Sequence, residues 1–302
     1  MTAVATTPRF TVLDEPVPVL PGCPGVYRFL DGDGKALYIG KSINIRSRVR
    51  THLAPGGQGE RQRRMLHATE RVDCRPTAGE AGALLLENAA IKREIPLFNR
   101  RQRSLRRMWS ITLDENSAGF LQPQVTCFPL DQPTNGTAYG SYASRYHGRK
   151  ALDKLARAEA LCPRVLALEK GRGPCFQHQI GRCHGACIGS ESASAHNARL
   201  LAALAGRRLS AWPVTGPVLL REQAGTPCSG QPAQEWHLLH NWMYLGTFTA
   251  PDEARQATTT NACMFDRDTH RILRGILARG DVALHCPETL APVAWPRAGS
   301  SG

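Results

Sequence analysis

Two short alternating runs stand near the start of the chain. Pro24-Gly25-Val26-Tyr27-Arg28-Phe29 and Leu37-Tyr38-Ile39-Gly40-Lys41 flank Asp31-Gly32-Asp33-Gly34, whose Asp-Gly step is a strong hairpin signal. The pattern predicts neighbouring antiparallel strands with Tyr27 and Tyr38 facing one pocket. A helix follows over residues 44–53, with Ile45, Val49 and Leu53 at core spacing. Pro55-Gly56-Gly57 breaks the chain before a second helix near 60–69 and a short strand at 72–75. Thr77-Ala78-Gly79-Glu80 reads as a capping box for a helix running to about residue 95, stopped by Pro96.

Further on, residues 109–113 and 123–128 alternate like strands, and Tyr139-Gly140-Ser141-Tyr142 precedes a helix over 149–161. That helix leads into a cysteine-rich stretch and another helix at 193–205. Pro213 to Gly216 marks a boundary, after which 218–222 and 235–248 read as strands accompanied by two short helices. Trp236, Trp242 and Tyr244 fall on one face of the second of these. Core packing is favoured for them over base stacking or a partner surface. The sequence thus reads as α+β, with a loose arm at 1–15 and modules at 16–103, 104–212 and 213–302. A disordered tail is expected at 298–302.

Charge sharpens the picture. The 302 residues hold 38 Lys and Arg against 25 Asp and Glu, a formal charge of +13. Between Lys41 and Arg107 there are 16 basic and 6 acidic residues, so this stretch alone carries +10. Such focusing suits a polyanion better than an acidic small molecule. No run approaches the roughly 18–20 apolar residues of a membrane span, and the N-terminus lacks a signal-peptide layout. The expectation is a cytoplasmic protein with no membrane partner, in which the ten cysteines are reduced thiols or metal ligands.

Phosphodiester hydrolysis needs an activated water, charge compensation on the phosphoryl oxygens and relief of charge on the leaving oxygen. The first module offers a group for each. Tyr38 is a candidate general base once neighbouring positive charge lowers its phenol, and Lys41 is placed to supply that charge. Arg48 and His52 lie four apart on one helix face, away from Ile45, Val49 and Leu53, where Arg48 can reach a phosphate. Glu87 follows Leu84-Leu85-Leu86 on a helix that otherwise packs inward, where a lone carboxylate needs a cation. Magnesium is commonly held by only one or two carboxylates. Asn99 lies just beyond Pro96. Taken singly each residue has an ordinary structural explanation; their joint spacing argues for a site.

Cys162, Cys175, Cys183 and Cys187 leave gaps of twelve, seven and three residues. Four thiolates in 26 residues invite a closed metal site. Paired cysteines two to four apart are usual for structural zinc, and only Cys183 and Cys187 fit that; an iron-sulfur cubane tolerates irregular spacing better. Cys23, Cys74, Cys127, Cys228, Cys263 and Cys286 show no clustering and read as ordinary thiols.

Gly25-Val26-Tyr27, Tyr38-Ile39-Gly40-Lys41, Asn44-Ile45-Arg46-Ser47-Arg48, Glu80 to Lys92 and Pro96-Leu97-Phe98-Asn99 resemble the GIY-YIG nuclease domain as used by UvrC, the incising component of bacterial nucleotide excision repair. The resemblance spans roughly residues 20–103. It implies a small three-stranded antiparallel sheet flanked by helices, Tyr38 as general base and Tyr27 as a water-positioning residue. It makes Lys41 and Arg48 the phosphate and transition-state partners, Glu87 the ligand of Mg2+ or Mn2+, and Asn99 a site-shaping residue. His52 occupies a position where relatives often carry tyrosine. The cysteine stretch resembles the region after that nuclease domain, which implies a [4Fe-4S] cluster in preference to Zn2+. The chain is too short for the second, RNase-H-like nuclease of UvrC and resembles its short single-nuclease homologues. The resemblance therefore implies one cut, on the 3′ side of a lesion in damaged double-stranded DNA, with UvrB, the damage-recognition component of excinuclease ABC, as partner. A nuclease for branched DNA and a catalytically silent DNA-binding adaptor are the competing readings.

Overall fold

The computed structural model describes residues 9–11, 20–54, 59–99, 108–127, 138–209, 212–225, 228, 230–257, 265–280 and 282–295. The rest of the 1–15 arm, the Pro55-Gly56-Gly57 break, the basic stretch 100–107, Cys263 and the 298–302 tail fall outside them. The chain forms two compact units: Met1–Leu105 together with Pro213–Gly302, and Arg106–Trp212. The first and last modules read from the sequence thus share one unit.

In the first unit, β2 (Gly25–Leu30) and β3 (Ala36–Ser42) form the expected hairpin. Asp31 closes its turn, its carbonyl accepting the Gly34 N–H and its carboxylate the Lys35 N–H. β4 (Arg71–Pro76) pairs with the other side of β2, completing the three-stranded antiparallel sheet. β1 (Arg9–Thr11) adds a fourth strand beyond β4, so part of the segment expected as a loose arm is paired. The order β1-β4-β2-β3 leaves β3 at an edge.

Period-two alternation assigns the two faces. Val26, Leu30, Ala36 and Ile39 pack against Ala90 and Ile91 of α3 (Glu80–Glu94). Tyr27, Phe29, Val72 and Cys74 pack against Ile45 and Val49 of α1 (Ile45–Leu53) and Met65 of α2 (Glu60–His67). Each fully buried large apolar side chain contributes about 1.5–3 kcal/mol before ordering entropy is counted, so this double layer fixes the sheet between its helices. Asn44 caps α1, its side chain accepting the Ser47 N–H at 2.9 Å.

The second unit packs a sheet of order β6-β5-β7 (β5 Trp109–Glu115, β6 Leu121–Cys127, β7 Tyr139–Tyr142) against α4 (Arg145–Ala158) and a later helix. Ile111, Leu152, Leu155, Leu200 and Leu204 form its core. Helix α4 starts one turn earlier than expected because Ser144 caps it, accepting the His147 N–H. The cysteine region is a loop with one short turn of helix, α5 (Phe176–Gln179), and a 3-10 turn at Ala186–Ile188, before α6 (Ala193–Ala205).

The last segment returns to the first unit with β8 (Val218–Gln223), β9 (Gln234–His240), β10 (Met243–Phe248), α7 (Pro251–Ala257), α8 (Arg267–Ala278) and β11 (Ala283–His285), in sheet order β10-β9-β8-β11. The single strand expected over 235–248 is a hairpin. Asn241 and Trp242 form its turn with φ of 48° and 62°, the signature of a two-residue primed turn. Trp236, Trp242 and Tyr244 consequently do not share one strand face: Trp242 leaves the ladder and packs on His270 and Trp295.

The capping box does not form either. The N-cap of α3 is Gly79, Thr77 Oγ1 donates to the Gly79 carbonyl, and the Glu80 carboxylate pairs with Lys41. The first free N–H groups, those of Ala81 and Gly82, donate to Glu222 of β8 at 2.8 Å each. No described helix is long and apolar enough to cross a membrane.

Candidate active site

Tyr27 pairs with Gly40 and Phe29 with Tyr38 across the β2/β3 ladder, so the two phenols are diagonal neighbours with ring centroids 6.2 Å apart. Gly40 makes room for this: a Cβ there would lie 2.4 Å from the Tyr27 hydroxyl. His52 closes the group from the last turn of α1, its Nε2 2.9 Å from the Tyr27 hydroxyl. Gln62 of α2 holds the ring, its amide nitrogen reaching the His52 carbonyl at 3.2 Å and Nδ1 at 3.4 Å. With Nδ1 accepting, the network assigns the ring proton to Nε2, directed at Tyr27.

Arg48, exposed on α1, brings its positive charge to bear on Tyr27 and Tyr38. The Tyr27 hydroxyl is held by His52 Nε2, and its interaction with Tyr38 favours the Tyr38 phenolate. Burial outweighs it. Tyr38 is held above the usual phenol range by burial and then by the charge of Glu87, with Tyr27 and Arg48 opposing. Tyr27 is raised further, by burial first and Tyr38 second. His52 is pushed down to about 4 by burial and by Arg48, so its ring is neutral at pH 7.

One expectation is corrected here. Lys41 does not supply the charge beside Tyr38; its ammonium turns to Glu80 at 2.7 Å, and the cation acting on Tyr38 is Arg48. The Lys41 backbone instead serves the site, its N–H donating to Glu87 Oε1 at 3.0 Å. Glu80 and Glu87, seven residues apart, lie on the same stripe of α3 and grip one residue by its side chain and its main chain.

Asn99 grips the same strand. Its Oδ1 accepts the Ile39 N–H at 2.9 Å and its Nδ2 donates to the Ile39 carbonyl at 2.8 Å, while the Phe98 N–H reaches the Leu37 carbonyl. The outward backbone groups of β3, which a further strand would otherwise take, go to Asn99 and Glu87. The sheet edge and the site are the same object.

Burial raises Glu87 to about 7 against the opposing pull of the Lys41 N–H and the Lys41 and Arg48 charges. Oε1 is anchored, and Oε2 has no hydrogen-bond partner among the described residues. A desolvated carboxylate with one oxygen fixed and one open fits a hard, oxygen-seeking divalent cation.

The four cysteines converge in the second unit. The Sγ atoms of Cys162, Cys175 and Cys187 lie within 4.8 Å of one another, Cys162 and Cys175 at 3.9 Å, and Cys183 belongs to the same buried cluster. Backbone N–H groups already point at sulfur, from Cys175 to Cys187 and from Gly185 to Cys183. These thiols can hold a metal. Metal–sulfur bonds of about 2.3 Å put the ligands of one tetrahedral ion about 3.8 Å apart, close to the Cys162–Cys175 separation. Elsewhere, Cys23 and Cys228, expected as unrelated thiols, remain thiols but influence one another: burial and then Cys228 push Cys23 up to about 12.

The structure thus brings Tyr27, Tyr38, Lys41, Arg48, His52, Glu87 and Asn99 around one strand pair. Sequence reasoning missed Gln62 and the pairing of Glu80, whose partners are set by tertiary packing alone.

Residues 23–100 match the family model of the UvrC-like GIY-YIG domain, 109–206 that of the UvrC/Cho excinuclease middle domain, and 217–289 that of the excinuclease Cho C-terminal domain. With its tyrosine pair on adjacent strands, the first module is a GIY-YIG endonuclease domain of the UvrC type. Excinuclease Cho of Salmonella typhimurium is 38% identical over 257 residues, 84% of this chain and 82% of that protein. Its Escherichia coli K12 counterpart is 37% identical over 266 residues, 87% and 85% respectively. The chain belongs to the excinuclease Cho family. The crystal structure of the GIY-YIG endonuclease domain of UvrC from Thermotoga maritima, bound to magnesium as its catalytic cation, is 32% identical over 27% of this chain and 88% of that one, with a TM-score of 0.25.

Proposed function

We propose that this excinuclease makes a single metal-dependent incision on the 3′ side of a lesion in damaged double-stranded DNA, acting in nucleotide excision repair after UvrB, the damage-recognition component of excinuclease ABC, has been loaded. The observation that carries the chemical part is the open Oε2 of Glu87 beside the Tyr27–Tyr38 pair. Glu87 would hold Mg2+ or Mn2+ through its open oxygen, and the ion would supply positive charge to the leaving oxygen and favour the Tyr38 phenolate. Tyr38 takes the proton of the attacking water at its phenolate oxygen, and the Tyr27 hydroxyl, held by His52, donates to that oxygen and stabilises it. Arg48, on the exposed face of α1, meets the phosphoryl oxygens. Lys41 acts through its main chain, and Asn99 shapes the strand that carries Tyr38.

For the cysteine cage we propose a structural metal. A [4Fe-4S] cluster, as the resemblance implies, and a single zinc ion both remain open to these thiols, three of which stand within 4.8 Å of one another. Anaerobic purification followed by iron, sulfide and zinc analysis decides between them.

The nuclease reading is tested by nicking of a lesion-bearing duplex with Mg2+ or Mn2+, with and without the damage-recognition proteins. Cutting 3′ to the lesion that depends on UvrB is the expected result, and Glu87→Gln should abolish it while DNA binding persists. Equal cutting of branched DNA without those proteins, or DNA binding without nicking, would replace it by one of the two competing readings.

A further inference from the structure

Helix α3, which carries Glu87, begins without a cap of its own. Gly79 has no side chain to offer, Thr77 and Glu80 are engaged elsewhere, and the exposed helix donors are met from a distant part of the chain. Glu222 accepts the Ala81 N–H on Oε1 and the Gly82 N–H on Oε2, both at 2.8 Å, and Glu235 accepts the Ala78 N–H at 2.9 Å. Behind Glu222 stands fully buried His237, its Nε2 at 3.2 Å, held from the far side by Thr247.

Two glycines make the approach possible. A Cβ on Gly79 would lie 2.3 Å from Glu222 Oε1, and one on Gly82 2.9 Å from the His237 ring. Gly82 is a poor residue inside a helix, and this contact accounts for it. Farther along the helix, Asn88 donates to Thr269 at 2.9 Å, and Lys92 pairs with Asp266 and Asp268. One stripe of α3 therefore faces the site through Glu80 and Glu87, and the other is held by residues that follow Pro213. Glu222, Glu235 and His237 bring their donor atoms within 4.8 Å of one another. The carboxylates, however, are turned onto N–H groups at the positive end of a helix, an arrangement that suits a cap and opposes a cation.

We infer that Glu222 is a positioning residue of the nuclease: it caps α3 across the fold, and in doing so fixes where Glu87 presents its open oxygen. The inference rests on the reading of Glu87 as the metal ligand. It makes the C-terminal segment part of the cutting machinery through the helix that carries Glu87.

The test uses the full chain and Mn2+ as the probe, with Mn2+ binding followed by electron paramagnetic resonance and the Ala81 and Gly82 amides by hydrogen exchange. Glu222→Ala is expected to weaken Mn2+ binding at the Glu87 site about tenfold and to speed exchange of both amides. Adding Gly79→Asp to Glu222→Ala should restore both readouts. Gly79 has extended backbone that any residue adopts, the truncation removes the three atoms nearest to a Cβ there, and aspartate is a strong N-cap. With Glu222 present the same aspartate lacks room. Where Glu222→Ala does not fold, Glu222→Gln carries the test, with a smaller loss of the same kind. Wild-type Mn2+ affinity in a folded Glu222 variant overturns the inference, and so does rescue of amide protection without rescue of Mn2+ binding. Glu87→Gln, run alongside, separates the two readings. If it loses Mn2+ while the Glu222 variants do not, only the positioning role falls; if it keeps Mn2+, the ligand assignment and the inference built on it both fall.

Discussion

Glu87 and Lys41 meet through a backbone hydrogen bond of 3.0 Å, so the carboxylate proposed to hold the metal is tied to the strand that bears Tyr38 as well as to its own helix. Tyrosine and glutamate cannot drift independently: the strand edge is the ruler between them. Removal of any group that holds this edge should therefore disturb chemistry and stability together.

Asn99 gives the direct case. Asn99→Ala strands the buried N–H and carbonyl of Ile39, at a cost of about 2–4 kcal/mol. An unfolding midpoint lower by about 4–12 °C is expected in a thermal melt, with nicking reduced at permissive temperature. Asn99→Asp should recover little, since a carboxylate accepts the N–H but repels the carbonyl.

Tyr27 and His52 act through one hydroxyl. Tyr27→Phe and His52→Ala should each slow nicking, and the double variant should be no worse than the more damaging single one. A double-mutant cycle on the nicking rate is expected to show coupling of about 1 kcal/mol or more; additive effects would mean that the two side chains serve the reaction separately.

Buried His270 packs against Trp242 and Phe265, and burial followed by Arg274 depresses it to about 4 from an ordinary 6.5. The unfolded chain takes up the proton first, so stability is full above pH 6.5, falls between 6.5 and 4, and levels off from this group below 4. Each pH unit in that window costs about 1.4 kcal/mol, about 3 kcal/mol in all. Urea titrations across the window should show a shallower decline for His270→Phe than for the parent chain.

Cys175 is fully buried in the cysteine cage, its Sγ 3.9 Å from that of Cys162. Cys175→Ala should lose the metal and destabilise Arg106–Trp212 by about 2–5 kcal/mol, seen as an early transition in calorimetry and as metal content falling toward zero. The Mn2+ response of the Glu87 site should be unchanged.

Much of the first module is legible in the sequence because its signals are local. The Asp-Gly turn, the alternation that divides Tyr27 and Phe29 from Val26 and Leu30, the spacing of Ile45 and Val49 and the lone Glu87 after three leucines each depend on neighbours within a few residues. What misleads is partner choice. Thr77 and Glu80 have the spacing of a capping box, yet Glu80 finds Lys41 and the cap comes from Glu222, more than 140 positions away in the chain. The same competition explains Lys41: nothing in Tyr-Ile-Gly-Lys reveals that its ammonium has a nearer carboxylate than Tyr38 has a cation. Trp242 reads as strand because its neighbours alternate, and the turn that removes it rests on positive φ at two residues that no local rule demands.

The closed flank of β3 has a consequence for how these molecules behave in a crowd. A bare outer strand is a template on which a second polypeptide can add itself, the usual first step toward sheet-mediated clumping. Here Asn99 and Glu87 occupy those sticky positions, so the residues proposed to shape catalysis also act as gatekeepers of solubility, and their loss leaves a surface inviting self-association.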